Sequence, residues 1–163
     1  MVSRRQPEIS AEQIRCVKGQ IEYSANTEAS VNCAWAYMSS VANWDDPPAQ
    51  FRLDGPFVNG SRGTTEIPGQ PTRHWQLKEV KPAESYTIDC PFDGAVISFE
   101  WRFTSLLNGR TMLRQRITLK GENASSYLDD VQRAFTSNLA PGMNRIAEAI
   151  GQACASGQIA GQE

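Results

Sequence analysis

Residues 95–121 read AVISFEWRFTSLLNGRTMLRQRITLKG. Ile97, Phe99, Trp101 and Phe103 share one parity, and Ser98, Glu100, Arg102 and Thr104 take the other. That is the two-residue period of a strand with one buried face. The second half is similar, with Leu113, Ile117 and Leu119 set against Met112, Arg114, Arg116, Thr118 and Lys120. Asn108 and Gly109 fall between the two runs, and both residue types accept the positive φ of a tight hairpin turn. The stretch predicts an antiparallel hairpin carrying a wall of large apolar side chains. Gln115 interrupts that wall. An unpaired buried amide costs about 1–3 kcal/mol, so Gln115 must either be satisfied by a covering helix or face water or ligand.

Upstream, FRLDG, SRGTTEI, TRHWQLKEV and ESYTIDCPF continue the β texture from residue 51. DGPFVNG, PGQP, KPA and FDG separate them as turns. Such brief connections cannot join parallel neighbours, so the sheet is an antiparallel meander. QIEYSAN, residues 20–26, reads as one more half-buried strand. In TEASVNCAWAYMSSVANWDD, residues 27–46, Val31, Ala34, Trp35, Met38 and Val41 recur at the spacing of one helical face. Thr27 or Ser30 caps its start, and DDPP at 45–48 stops it.

Downstream of Gly121 the period changes. Residues 124–155 place Tyr127, Val131, Phe135, Leu139, Met143, Ile146 and Ile150 on one stripe, predicting a long C-terminal helix. Asn123 or Ser125 is its cap, and Pro141 with Gly142 predicts a kink. Residues 1–19 read as a mobile arm, with SAEQIRCVK weakly helical, and 156–163 as a frayed tail. Residues 20–155 are then a single domain.

The totals narrow the function. The chain has 163 residues, 40% hydrophobic and 21% charged, with a formal net charge of −2. This is a globular balance without the basic field that nucleic acid requires. No apolar run approaches membrane-spanning length and no secretory signal precedes the domain, so a cytoplasmic location is expected. Cys16, Cys33, Cys90 and Cys154 are scattered, with no metal-ligand spacing, and His74 is the only histidine. The cysteines read as small reduced hydrophobes, with a pairing in the fold left open. No phosphate loop, nucleophile elbow or dinucleotide fingerprint occurs, and neither cofactor nor metal is expected.

An apolar helix stripe and an apolar sheet face satisfy each other when the helix crosses the concave side of the sheet. A twisted antiparallel sheet of six or seven strands curls, and one helix cannot fill its concavity, which leaves an apolar cavity with few polar groups. The chain here resembles the SRPBCC or START-like superfamily. The likeness rests on ANTEASVNCAWAYMSSVANW (25–44), GSRGTTEIPG (60–69), WQLKEVKP (75–82), ISFEWRF with TMLRQRITLKG, and FTSNLAPGMNRIAEAI (135–150). It implies an α+β helix-grip fold, a curved sheet wrapped around the C-terminal helix, with a hydrophobic cavity between them. The superfamily includes carriers of lipids, hormones, isoprenoids and polyketides, and some cyclases and dehydratases.

The expected cavity wall comprises Phe99, Trp101, Phe103, Gln115 and Ile117 from the hairpin. Phe135, Leu139 and Met143 join it from the helix. The plain alternative is a filled core. His74 is the natural general base by chemistry, yet Trp75 and Leu77 claim the inward parity and turn it to solvent. Glu79 shares that inward parity with Arg73, although charges at a strand end usually reach the sheet rim. Cys90 lacks a basic sequence neighbour and reads as inert. Binding of a small hydrophobic or amphipathic ligand leads. A cyclase or dehydratase using the same cavity is the alternative, and a groove for a partner helix is the third reading. The partner is a small hydrophobic ligand, with no nucleic acid and no membrane span; a homodimer is the candidate assembly.

Overall fold

A computed structural model describes the backbone of residues 14–17 and the whole of residues 19–159. The strands are β1 (Ile14–Val17), β2 (Gln20–Thr27), β3 (Gln50–Asp54), β4 (Arg62–Glu66), β5 (Arg73–Lys81), β6 (Ser85–Phe92), β7 (Ala95–Ser105) and β8 (Thr111–Lys120). The helices are α1 (Val31–Met38), α2 (Ala124–Thr136) and α3 (Leu139–Ala155). The sheet is antiparallel throughout, in the order β1-β2-β8-β7-β6-β5-β4-β3. From β3 to β8 every hairpin joins sequence neighbours, and β2 returns to pair with β8. This is the α+β helix-grip.

Seven strands lie where the alternation puts them, and β1 adds an eighth. Within SAEQIRCVK, residues 14–17 are a strand paired with β2, where a short helix was expected. The remainder of the expected arm, residues 1–13 and 18, and residues 160–163 of the tail lie outside the described residues. Asn108 and Gly109 take φ of 71° and 74°, the left-handed values their residue types permit. The hairpin they close is wider than a two-residue turn, with Leu106 N–H bonded to Arg110 O at 2.7 Å.

The first helix stops early. Ser30, not Thr27, is its cap, with the Ser30 hydroxyl accepting from Cys33 N–H at 3.3 Å. Its end is fixed by side chains folding back: Asn43 Nδ2 donates to Tyr37 O at 3.0 Å and Trp44 Nε1 to Met38 O at 2.8 Å. These take carbonyls a longer helix would have used, and Val41–Asn43 continues only as a 3-10 turn. Thr27 instead ends β2, where its buried hydroxyl donates to Ala147 O at 2.7 Å and ties β2 to α3.

The C-terminal stripe is two helices, broken at Ser137–Asn138 rather than at Pro141. Pro141 lies in the first turn of α3, where a missing N–H is harmless. Its ring excludes a helical carbonyl four residues earlier, at Ser137, so the break lies there.

The cysteine expectation needs correction. Cys33 of α1 and Cys154 of α3 form a disulfide spanning 121 residues of sequence. Helix packing brings them together, which their spacing could not indicate. Cys90 is free.

Candidate functional site

The sheet register arranges the concave face into cross-strand rows. One row runs Tyr23, Gln115, Trp101, Tyr86 across β2, β8, β7 and β6. The next runs Ile21, Ile117, Phe99, Ile88, Leu77 from β2 to β5. Two contrasting halves face these rows. Beneath α1 the rings of Trp35, Phe57, Tyr86 and Phe103 meet at centroid distances of 5.0–6.2 Å. Tyr86 also stacks on Trp101, at 6.3 Å and 15°. That half of the expected cavity is filled with side chains.

The other half is thinly covered. Ile88, Cys90, Ile97 and Phe99 point to the concave side yet remain half-buried. The helix nearest them, α2, buries none of its own residues. Phe135 of α2 reaches Phe99 edge-to-face at 5.7 Å and closes one side. The result is a half-covered apolar cleft between α2 and β6–β7. Two further hollows lie elsewhere. One of about 440 Å3 is lined by Pro91–Val96 and Gly121, and one of about 580 Å3 by Tyr37, Asn43, Gln152, Gln158 and their neighbours.

Of the expected wall, Trp101, Phe103, Ile117, Leu139 and Met143 are buried, while Phe99, Gln115 and Phe135 are half-buried around the cleft. Gln115 faces inward between Tyr23 and Trp101 and makes no side-chain hydrogen bond among the described residues. His74 sits opposite Thr64, exposed on the outer face. Glu79 is exposed too, because β5 bulges there: Glu79 takes φ of 50°, the register with β6 shifts, and Val80 moves to the packed side. The bulge frees Val80 N–H, which donates to Asn59 Oδ1 at 2.6 Å. Both side chains are solvated, so His74→Ala and Glu79→Ala should each change stability by no more than about 0.5 kcal/mol in thermal unfolding.

Tyr86 is not part of the expected wall, although it shares parity with Ile88 and Cys90. Its side chain is 1% exposed and its hydroxyl has no hydrogen-bond partner among the described residues. Leaving such a group unmet costs about 1–3 kcal/mol. Burial raises its ionisation far above the ordinary tyrosine range, so it stays a neutral phenol. An unfolded tyrosine ionises near pH 10. Folded stability is therefore lost as pH rises past that value, and Tyr86→Phe should lessen the alkaline loss. Tyr23, by contrast, donates to Asn144 Oδ1 at 3.2 Å. Burial also raises the Cys90 thiol, outweighing the nearby Arg73, and keeps it unreactive.

The ion pairs of the central strands lie on the outside. Glu22 binds Arg116 at 2.8 Å and Glu100 binds Arg102 at 3.2 Å, both across the convex face, and Asp89 accepts from Ser98 there. Half-buried Arg110 sits at the β7–β8 turn, 2.9 Å from Glu28. The charged group nearest the concave strip is Arg73, at the exposed end of β5 on the parity of Trp75 and Leu77 and close enough to Cys90 to favour its thiolate.

The family described as polyketide cyclase / dehydrase and lipid transport matches residues 18–151. The chain belongs to it. Solved structures share this fold at low identity. Norcoclaurine synthase from Thalictrum flavum, in complex with dopamine and hydroxybenzaldehyde, has 12% identity over 96% of each chain, with a TM-score of 0.65. A protein from Nitrosomonas europaea has 10% identity over 86% of this chain and 99% of that one, with a TM-score of 0.67. CalU16 from Micromonospora echinospora has 17% identity over 88% and 92%, with a TM-score of 0.54. At these identities the likeness concerns the fold. A search of curated proteins finds no significant match. Among the described residues no helix of this family member is long and apolar enough to cross a membrane.

Proposed function

We propose that the protein binds a small hydrophobic or amphipathic molecule, of lipid, isoprenoid or polyketide type, in the cleft between α2 and the concave face of β6–β8. The observation that carries this reading is the apolar strip of Ile88, Cys90, Ile97 and Phe99, which stays only half-buried beneath a helix that buries none of its own residues. A half-covered strip of this kind is stabilised by an apolar occupant at roughly 25 cal/mol per Å2 removed from water. The family supports it, as its description joins cyclase, dehydrase and lipid-transport members.

The cyclase or dehydratase alternative needs a group on that face able to move a proton near neutrality. The Tyr86 phenol and the Cys90 thiol, both raised by burial, do not meet the need, and binding is favoured. If turnover is found, His74→Ala and Glu79→Ala should retain it, since both side chains face solvent. The disulfide bears on location: such bonds persist in oxidising compartments, and this one weighs against the cytosol.

Native mass spectrometry of the purified protein should reveal a co-purified apolar compound. Phe135→Ala removes the ring that closes the cleft, at a residue that is itself only half-buried. Its affinity for Nile red should fall about tenfold, the loss of roughly one aromatic contact. A folded variant that binds the dye as tightly as the parent would place the binding surface elsewhere.

A further inference from the structure

We infer that the cleft takes an anionic amphiphile, an apolar chain ending in a carboxylate, and that Arg73 holds the carboxylate at the open end of the strip. The inference rests on the binding reading above and specifies its ligand class. Arg73 begins β5 and shares the inward parity of Trp75 and Leu77, yet it is exposed where they are buried. The register of β5 with β6 sets Leu77 against Ile88. Further along, the Cys90 thiol donates at 3.7 Å to the carbonyl of His74, the residue that follows Arg73. The guanidinium therefore stands where the half-buried strip of Ile88, Cys90 and Ile97 runs out toward water. Burial raises the Cys90 thiol, and Arg73 lies close enough to oppose that rise.

The sign of the ligand follows from what surrounds Arg73. Among the described residues no carboxylate pairs with it. Its Nη2 donates at 2.9 Å to Gln70 Oε1, a neutral acceptor that orients the guanidinium and leaves its charge unmatched. The acids of the neighbouring strands are turned away or engaged. Asp89 lies on the outer face with Lys78 and Ser98, Glu66 has the outward parity of Thr64, and Asp93 accepts from the Tyr127 hydroxyl. A planar guanidinium meets a carboxylate in a two-bond fork, one charge against one. The carboxylate stays at the water's edge while its chain lies on the strip, so no charge has to be buried. Arg73 and Leu77 lie four residues apart, about 13 Å along the strand, a span that an extended ten-carbon chain covers.

Decanoate and 1-decanol, titrated calorimetrically near neutral pH and below their aggregation limits, test this in wild-type, Arg73→Gln and Arg52→Gln proteins. Arg73→Gln should weaken decanoate about fivefold, the upper end for an ion pair at a surface, and leave decanol within about twofold. Arg52→Gln removes an exposed arginine opposite Thr64 on the outer face, and should leave decanoate within about twofold. Decanoate affinity that survives Arg73→Gln overturns the assignment. So does a parallel fall for decanol, which would mean that Arg73 shapes the cleft. An equal loss in Arg52→Gln overturns it as well, since a diffuse field would then be responsible. If the wild type binds Nile red and decanol but not decanoate, the carboxylate is wrong while the binding reading stands. If none of the three binds and no compound co-purifies, the binding reading fails and the Arg73 contact with it.

Discussion

Reducing the Cys33–Cys154 bond should lower the unfolding free energy by about 4 kcal/mol, for a link that closes 121 residues of chain. In a domain of this size that is a fall in Tm on the order of 10 °C. The bond joins α1 to α3, the two helices that hold opposite sides of the concave face. Its removal frees the denatured chain and also removes the covalent tie between the two helices. Differential scanning calorimetry with and without dithiothreitol, and of a Cys33→Ser, Cys154→Ser protein, reads the effect directly. Thiol titration in denaturant should count two fewer thiols before reduction than after. Equal thiol counts would mean the bond does not form, and an unchanged Tm would mean helix packing alone holds α1 on α3.

The second large effect is expected at Gly63, where the sheet allows only a hydrogen. Gly63 is buried opposite Trp75 on the neighbouring strand. A Cβ built there would lie 2.2 Å from a carbon of the indole ring. Trp75 cannot simply yield. Its Nε1 donates to Thr65 Oγ1 at 3.0 Å and its ring packs on Trp44 at 5.6 Å. Gly63→Ala should therefore cost about 3 kcal/mol, at the upper end for overpacking, measured by urea unfolding. Combining it with Trp75→Leu, which vacates the space over the glycine, should cost clearly less than the sum of the two single changes. A nearly neutral Gly63→Ala, or strict additivity, would show that the indole does not depend on that glycine.

The local pattern carried most of the architecture. Alternation in QIEYSAN, ESYTIDCPF and AVISFEWRFTSLL assigned the inward faces, and Asn108–Gly109 marked the hairpin, because side-chain parity and positive φ are properties of adjacent residues. The same reasoning, with resemblance, placed the family and its helix-grip. The helix ends were less legible. Asn43 and Trp44 cap carbonyls six residues back, and Pro141 acts on the turn before it, so both boundaries depend on contacts longer than a stripe reveals. Parity also fails at Glu79, where one bulge residue passes the inward position to Val80.

The site divides along the same line. That Phe99, Gln115 and Phe135 belong to one apolar surface was readable, since each lies on a periodic face. Whether that surface is filled or open was not, because the answer depends on how far α2 and α3 stand from the strands they cover. Sequence alone determined which side chains turn inward before the bulge of β5 and on β2, β6, β7 and β8, and that the sheet is antiparallel. Only the tertiary structure decided that Cys33 meets Cys154, that aromatic rings fill the half under α1, and that Tyr86 is buried with its hydroxyl unmet. The reason is physical: periodicity orients a side chain relative to its own backbone, whereas a partner for a thiol or a hydroxyl is supplied by chain far away in sequence.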